Sequence, residues 1–348
     1  MNLGQKTVMS VNRFVEQLVM KKLFIPSQFY KSSYRFAILP FLTVLLGKFL
    51  FENLAFDFPQ LSVQISHYIS AKAVTTSSSL LMLQELKARL LWTSSIFVYF
   101  FVNGCFFIFL WHTFKQTVHS KKYLIFFIAA LFSSLEIIYL LSIDASNSPL
   151  HTIFLFTYDA LSASKSYTPE QLTFIFYTLS FVNFIAIIVI PFSVLTGCSI
   201  VLQKATDFKQ LDKQFVLLKD FVNGSSAIMV AGIIHMQLWL NWPLSFINDF
   251  PHINELNVFI STLIQYWGIC YSLTIAALYL PIAAYLRSNE EVLYGSIPAS
   301  KKSETLQYEQ ASNALVHSTS HKIPQIIAIL GPMLIGSFSP MVSGIFTI

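Results

Sequence analysis

Charge is what this chain has least of. Only 11% of its 348 residues are Asp, Glu, Lys or Arg, and 55% are hydrophobic. A water-facing domain carries roughly 25% charged residues. The composition therefore excludes an ordinary soluble enzyme and an intrinsically disordered regulator, and it describes an integral membrane protein. The formal net charge of +5 is spread along the chain, so it does not form the basic patch that nucleic acid requires. Cysteine is almost absent: Cys105, Cys198 and Cys270 each fall inside an apolar run. That placement suits small hydrophobes facing lipid or other helices, not disulfides or a thiolate metal site. CxxC, HExxH, nucleotide-loop and GxSxG patterns are also missing, so no cofactor is expected. Residues 1–35 hold no continuous apolar core before Phe36, and no cleavable signal peptide is expected.

Apolar length is abundant. A helix crosses the hydrocarbon core with roughly 20 apolar residues, and six stretches reach that length: about 36–55, 90–111, 123–143, 174–202, 225–246 and 258–286. Lys and Arg gather on alternate sides of these stretches, in 1–35, after the second, after the fourth and after the sixth. Cytoplasmic loops are the Lys/Arg-rich ones. The expectation is an all-α polytopic bundle of six spans with its N-terminus cytoplasmic, in a plasma or bacterial inner membrane ahead of an organelle.

The remaining segments take definite places in this scheme. Val8, Val11, Val15, Leu18 and Val19 recur at helical spacing, which gives an amphipathic helix on the membrane surface or one packed on a cytoplasmic partner domain. Residues 56–89 read as an external helical cap, with Leu80–Arg89 running into the second span. Residues 287–322 are a polar linker. The tail 323–348 is long enough to span, but Pro332 and Pro340 interrupt it. It reads as a seventh, broken span, a re-entrant or surface helix, or a segment docked on a cytoplasmic neighbour.

Polar residues inside the spans are the candidate functional groups, because a charge at mid-bilayer costs roughly 2.5–3.5 kcal/mol on insertion scales and seeks a partner. They are Lys48, Asn103, Glu136, Asn183, His235, Gln237, Asn241 and Gln265. At about 1.5 Å per residue, Lys48 and Glu136 both fall in the outer half, which predicts an ion pair. The alternatives are a Lys48 that snorkels to the headgroups and a protonated Glu136. Small and polar residues line up on three spans: Ala129, Ser133, Glu136 and Tyr139; Asn183, Ala186, Ser193 and Gly197; and Ser261, Gln265, Gly268, Ser272, Ala276 and Tyr279. Such stripes serve as packing surfaces or line a hydrated path. In the fifth span Gln237 and Asn241 share a face, and His235 projects about 160° away from Gln237. Two polar sides put that helix in the bundle interior. His235 is read as a satisfied core histidine, a proton-handling or gating group, or a metal or haem ligand, for which His112 is badly placed as a second ligand. Trp239 and Trp242 are expected at the outer interface or in a vestibule. Asp249, His252 and Glu255 could ligate a metal, but with Pro251 among them they read first as a turn.

Three functions fit. A transport or channel protein with a polar path between helices leads. A structural or assembly subunit of a larger membrane complex follows, and a membrane enzyme acting on a lipid-like substrate comes third. The partners expected are the lipid bilayer and either further copies of the chain or other membrane subunits.

Overall fold

The computed structural model describes residues 36–55, 57–73, 79–118, 124–125, 128, 131–132, 148–202, 204–247, 250–295 and 319–338. Among them every regular element is helical. In chain order they are α1 (Ile38–Leu54), α2 (Phe58–Ala73), α3 (Ser79–Thr117), α4 (Pro149–Ala163), α5 (Pro169–Ser199), α6 (Phe208–Asn241), a 3-10 turn (Trp242–Phe246), α7 (Ile253–Gly295) and α8 (Thr319–Ser337). The chain is a helix bundle of the membrane-spanning type.

Four described helices are long and apolar enough to cross a bilayer: Met82–Thr117, Pro169–Ser199, Phe208–Phe246 and Ile253–Gly295. A fifth crossing arises if α1 and the following helix, which bend by 62° at their junction, count as one broken span. The sequence pattern suggests six. Its first stretch corresponds to α1, which is 17 residues long and gives way to α2, whose second residue, Pro59, suits a new first turn. Its third stretch, 123–143, lies almost wholly outside the described residues.

Local signals explain the helix starts. Asp207 caps α6 by accepting from the Gln210 amide at 2.7 Å. Thr168 and Gln171 close a reciprocal capping box at the head of α5, with Pro169 behind it. Ser148, followed by Pro149, starts α4 in the same manner. That helix lies in a connection the span pattern treats as a loop. It forms because Ile153, Phe156 and Ala160 make one buried face of a 15-residue segment.

Helix α6 is the interior helix. Half of its most apolar window is buried, the largest share among the four candidate spans. From Gln237 to Ser245 every residue is covered. Trp239 and Trp242 are among these, which corrects their expected place at an interface. Trp92 of α3 stacks 5.2 Å from each indole, and α4 and Tyr167 close over them.

The C-terminal helix α8 lies antiparallel on α7 and also touches α6. Tyr279 bonds Gln325 at 3.1 Å, the Met333 amide donates to Ser272 Oγ at 3.0 Å, and Gly336 abuts Gln265. A Cβ on Gly268 would sit 2.6 Å from the Pro332 carbonyl oxygen, and one on Gly331 would sit 2.8 Å from Ser226 Oγ. Pro332 does not interrupt α8, contrary to the sequence expectation; the helix continues to Ser337. Its apolar part, Pro324–Ser337, is shorter than a span. The small-residue stripe of α7 is thus the surface on which α8 sits.

Gly268→Ala should therefore lower the thermal stability of the detergent-solubilised protein by about 1–3 kcal/mol, the usual cost of overpacking. Gly104 is the control, because a Cβ added there would meet nothing within 4 Å. Gly104→Ala should leave stability unchanged or raise it by up to about 1 kcal/mol through helix propensity. Tryptophan-monitored melting separates the two, and equal melting of both variants with wild type would contradict the seam.

Candidate functional site

The α3–α6 seam holds a cluster of buried polar side chains. The two helices run antiparallel, so Trp92, Ser95 and Tyr99 of α3, at helical spacing, face His235, Trp239 and Trp242. His235 is buried with its ring 5.9 Å from Tyr99 and 6.1 Å from Trp92. Its Nδ1 lies 3.0 Å from Ser95 Oγ, and the same Oγ lies 2.6 Å from the Trp92 carbonyl oxygen. A carbonyl cannot donate, so the single hydroxyl proton of Ser95 goes to Trp92. Ser95 therefore accepts from His235, which carries its proton on Nδ1. Nε2 then presents a bare lone pair inside the protein, and it has no partner among the described residues.

Other buried polar atoms nearby are also unmatched. Asn241, 1% exposed, has no partner among the described residues for either end of its amide. It stands where α6 gives way to the 3-10 turn at Trp242 and Pro243. One helical turn deeper than Tyr99, Asn103 donates to the Tyr99 carbonyl at 2.8 Å and leaves its Oδ1 buried and unpartnered. Each such orphan costs about 1–3 kcal/mol unless water or a solute satisfies it.

A second polar group lies at the other end of the seam. Thr117 Oγ1 meets Ser199 Oγ of α5 at 2.7 Å, and Gln214 of α6 donates to the Ile200 carbonyl at 2.9 Å. The hydroxyls of Thr113 and Thr196 are buried there without partners. Between the two polar ends the seam is closed by Phe106, whose ring fills the notch left by Gly224 and lies 6.0 Å from Phe221.

A small lid covers the Trp end. The Tyr167 hydroxyl donates to the buried carboxylate of Glu85, Arg89 pairs with Glu85 at 3.4 Å, and the Arg89 guanidinium lies 6.0 Å above the Tyr167 ring. Burial, and then the neighbouring Glu85 carboxylate, push the Tyr167 phenol well above its ordinary pKa. Thr157 of α4 donates to the Trp239 carbonyl at 2.5 Å, and the Trp239 indole donates to the Phe154 carbonyl at 3.2 Å.

The sequence candidates divide accordingly. His235, Gln237 and Asn241 are buried in the seam region of α6. Gln265 lies apart, on the exposed side of α7 against Gly336. Asn183 is half-buried on α5. Lys48 is half-buried on α1, next to Gly47, whose carbonyl accepts from Tyr266 at 2.7 Å. Glu136 lies outside the described residues, and with it the expected Lys48–Glu136 pair. Asp249 is likewise outside them; Pro251 and His252 form a turn into α7, and among the described residues no three His, Cys, Asp or Glu side chains converge as a metal site. Sequence reasoning does not single out Trp92, Ser95, Tyr99 or the Glu85–Tyr167 contact. The 3- and 4-residue spacing of Trp92, Ser95 and Tyr99 is the signal that could have found the first three.

No family model, curated protein or solved structure matches this chain.

Ser95→Ala leaves the His235 Nδ1–H without its acceptor and should cost about 1–3 kcal/mol. Adding His235→Phe should recover most of that loss, because both polar partners are then gone. A double-mutant cycle of melting temperatures reads the coupling, and strict additivity would refute the bond. The Tyr167 lid has a pH signature. Below about pH 10, the ordinary phenol value, Tyr167 is protonated folded and unfolded; above it only the unfolded chain releases the proton, so stability falls as pH rises. The melting-temperature advantage of wild type over Tyr167→Phe should shrink from about pH 9 to about pH 11.

Proposed function

We propose that this chain is a transport or channel protein whose polar path follows the α3–α6 seam, with Phe106 and Phe221 as its closed constriction. The observation that carries the reading is the pairing of unmatched buried polar atoms at both ends of one seam with an aromatic plug between them. A purely structural helix contact gains nothing from an orphaned His235 Nε2, an orphaned Asn241 amide and an orphaned Thr113 hydroxyl. A path that fills with water or solute in its open state satisfies all three. Hydrophobic constrictions gate such paths by excluding water. The break from α6 into the 3-10 turn beside Asn241 is the kind of interruption on which transporter sites are built.

The finer topology belongs to this reading: six spans, an N-terminus in the cytoplasm, and the Thr113–Ser199 group at the cytoplasmic end. Helix order supports it. Glu85 near the start of α3 meets Tyr167 beside the start of α5, and Thr117 meets Ser199 at their ends, so α3 and α5 run parallel. Parallel neighbours require the chain between them to return across the bundle, and the apolar stretch 123–143 has the length to do so.

Purified protein in proteoliposomes should pass at least one of protons, rubidium ions or urea faster than empty liposomes. Phe106→Ala should raise that flux about tenfold by opening the constriction, and His235→Ala should change its rate or selectivity. Absence of flux in wild type and in Phe106→Ala, together with stoichiometric co-purification of other membrane subunits, would overturn the reading in favour of an assembly subunit.

A further inference from the structure

Away from the α3–α6 seam, the groove between α7 and the end of α8 stays open as a cleft of about 170 Å³. Asn257, Ser261, Thr262 and Gln265 of α7 and Gly336 and Ser337 of α8 line it. We propose that this cleft binds an uncharged, hydroxyl-rich group: a small polyol, or the free hydroxyl end of a neutral glycerolipid.

The lining itself selects this chemistry. None of the lining side chains carries a charge, so neither a carboxylate nor a phosphate finds a counter-ion there. Two of the three lining hydroxyl protons are already committed. Thr262 Oγ1 donates to the Val258 carbonyl at 2.9 Å, and Ser337 Oγ donates to the Met333 carbonyl at 3.0 Å. Both oxygens therefore turn only lone pairs toward the cleft. Asn257 Oδ1 is covered in this conformation and has no hydrogen-bond donor among the described residues. The Asn257 and Gln265 amides add N–H donors, and a hydroxyl, which both donates and accepts, matches such a mixed uncharged lining. The volume exceeds a single water's share of about 30 Å³ several times over, so several hydroxyls fit. Gly336 lets α8 close onto α7 at the edge of the cleft, because a Cβ there would sit 3.0 Å from Gln265 Cα and 3.1 Å from the Ile264 carbonyl oxygen. The site also explains the position of Gln265. It is the one polar side chain of the α7 stripe that remains exposed beside α8, whereas Ser272 and Tyr279 bond α8 directly.

The test uses the full chain in nanodiscs of uncharged phosphatidylcholine, with two probes: radiolabelled glycerol by equilibrium dialysis, and dioleoylglycerol retained through purification and read by mass spectrometry. Saturable binding in either arm, weakened at least fivefold by Asn257→Leu and by the near-isosteric Thr262→Val, supports the proposal, and the arm that responds identifies the source. Thr262 is exposed, so its variant folds even where Asn257→Leu does not. The proposal is overturned if neither probe binds saturably, if both variants bind as wild type does, or if rubidium ions occupy the same site in place of glycerol. Because the cleft is separate from the seam, loss of glycerol binding leaves the Phe106 flux result untouched, and the reverse also holds.

Discussion

Close approach of helix backbones is the constraint on which this structure depends. Lipid tails are as apolar as Leu, so helices in a bilayer gain little by hiding greasy side chains from it, and packing with interhelical hydrogen bonds must supply the association. Gly268 lets the Pro332 carbonyl come within contact of α7. Gly331 does the same for Ser226, Gly47 seats Cys270, and Gly224 receives the ring of Phe106. These notches set the spacing of α1, α3, α6, α7 and α8. They also place the hydroxyls and carbonyls that then bond across, as Tyr266 does to Gly47 and Ser272 to Met333.

The same constraint explains how a charge-poor chain keeps so many polar atoms inside. Several buried hydroxyls bond to their own helix, as Ser95 does to Trp92 and Ser193 to Ile190. That leaves them unable to donate elsewhere and turns them into acceptors for a neighbour. His235 is held in one tautomer by this arrangement, without a carboxylate. Direction in the seam thus comes from backbone carbonyls, not from ion pairs. The ionic contact of Glu85 with Arg89 and Tyr167 sits to one side, over the Trp cluster as a lid.

Much of the bundle was legible because hydrophobic length is a one-dimensional signal. The second, fourth, fifth and sixth apolar stretches each fall on one long described helix, and two polar faces on one span were enough to put α6 inside. The stripe from Gln265 to Tyr279 was visible as a contact surface, but its partner was not, since nothing in the α7 sequence says which helix it meets. Proline misled at Pro332. A missing amide costs less where the following Met333 amide finds Ser272 and Pro332 itself is covered against α7. Tryptophan misled at Trp239 and Trp242, because an indole suits an interface only when no other aromatic surface covers it. Helix α4 and Tyr167 supply that cover. Helix α4 itself was hidden by its length, too short for a span yet apolar enough to be pulled onto one.

The proposed path rests on the unsatisfied atoms that lie along the α3–α6 seam. If the seam were only adhesive, selection for stability would favour replacing orphaned groups with apolar ones, which pack as well and carry no desolvation penalty. Along α3 and α6 they occur at Asn103, His235 and Asn241 toward one end, at Ser225 beside the Phe106 ring and at Thr113 toward the other, and among the described residues further ones lie at Glu52, Ser66 and Asn289. The Phe106 ring is what fills the Gly224 notch. Rotating that ring away would join two polar regions through a space whose walls are already set by glycine. On the transport reading proposed above, Phe106, with Phe221 beside it, is the barrier whose movement would open the seam.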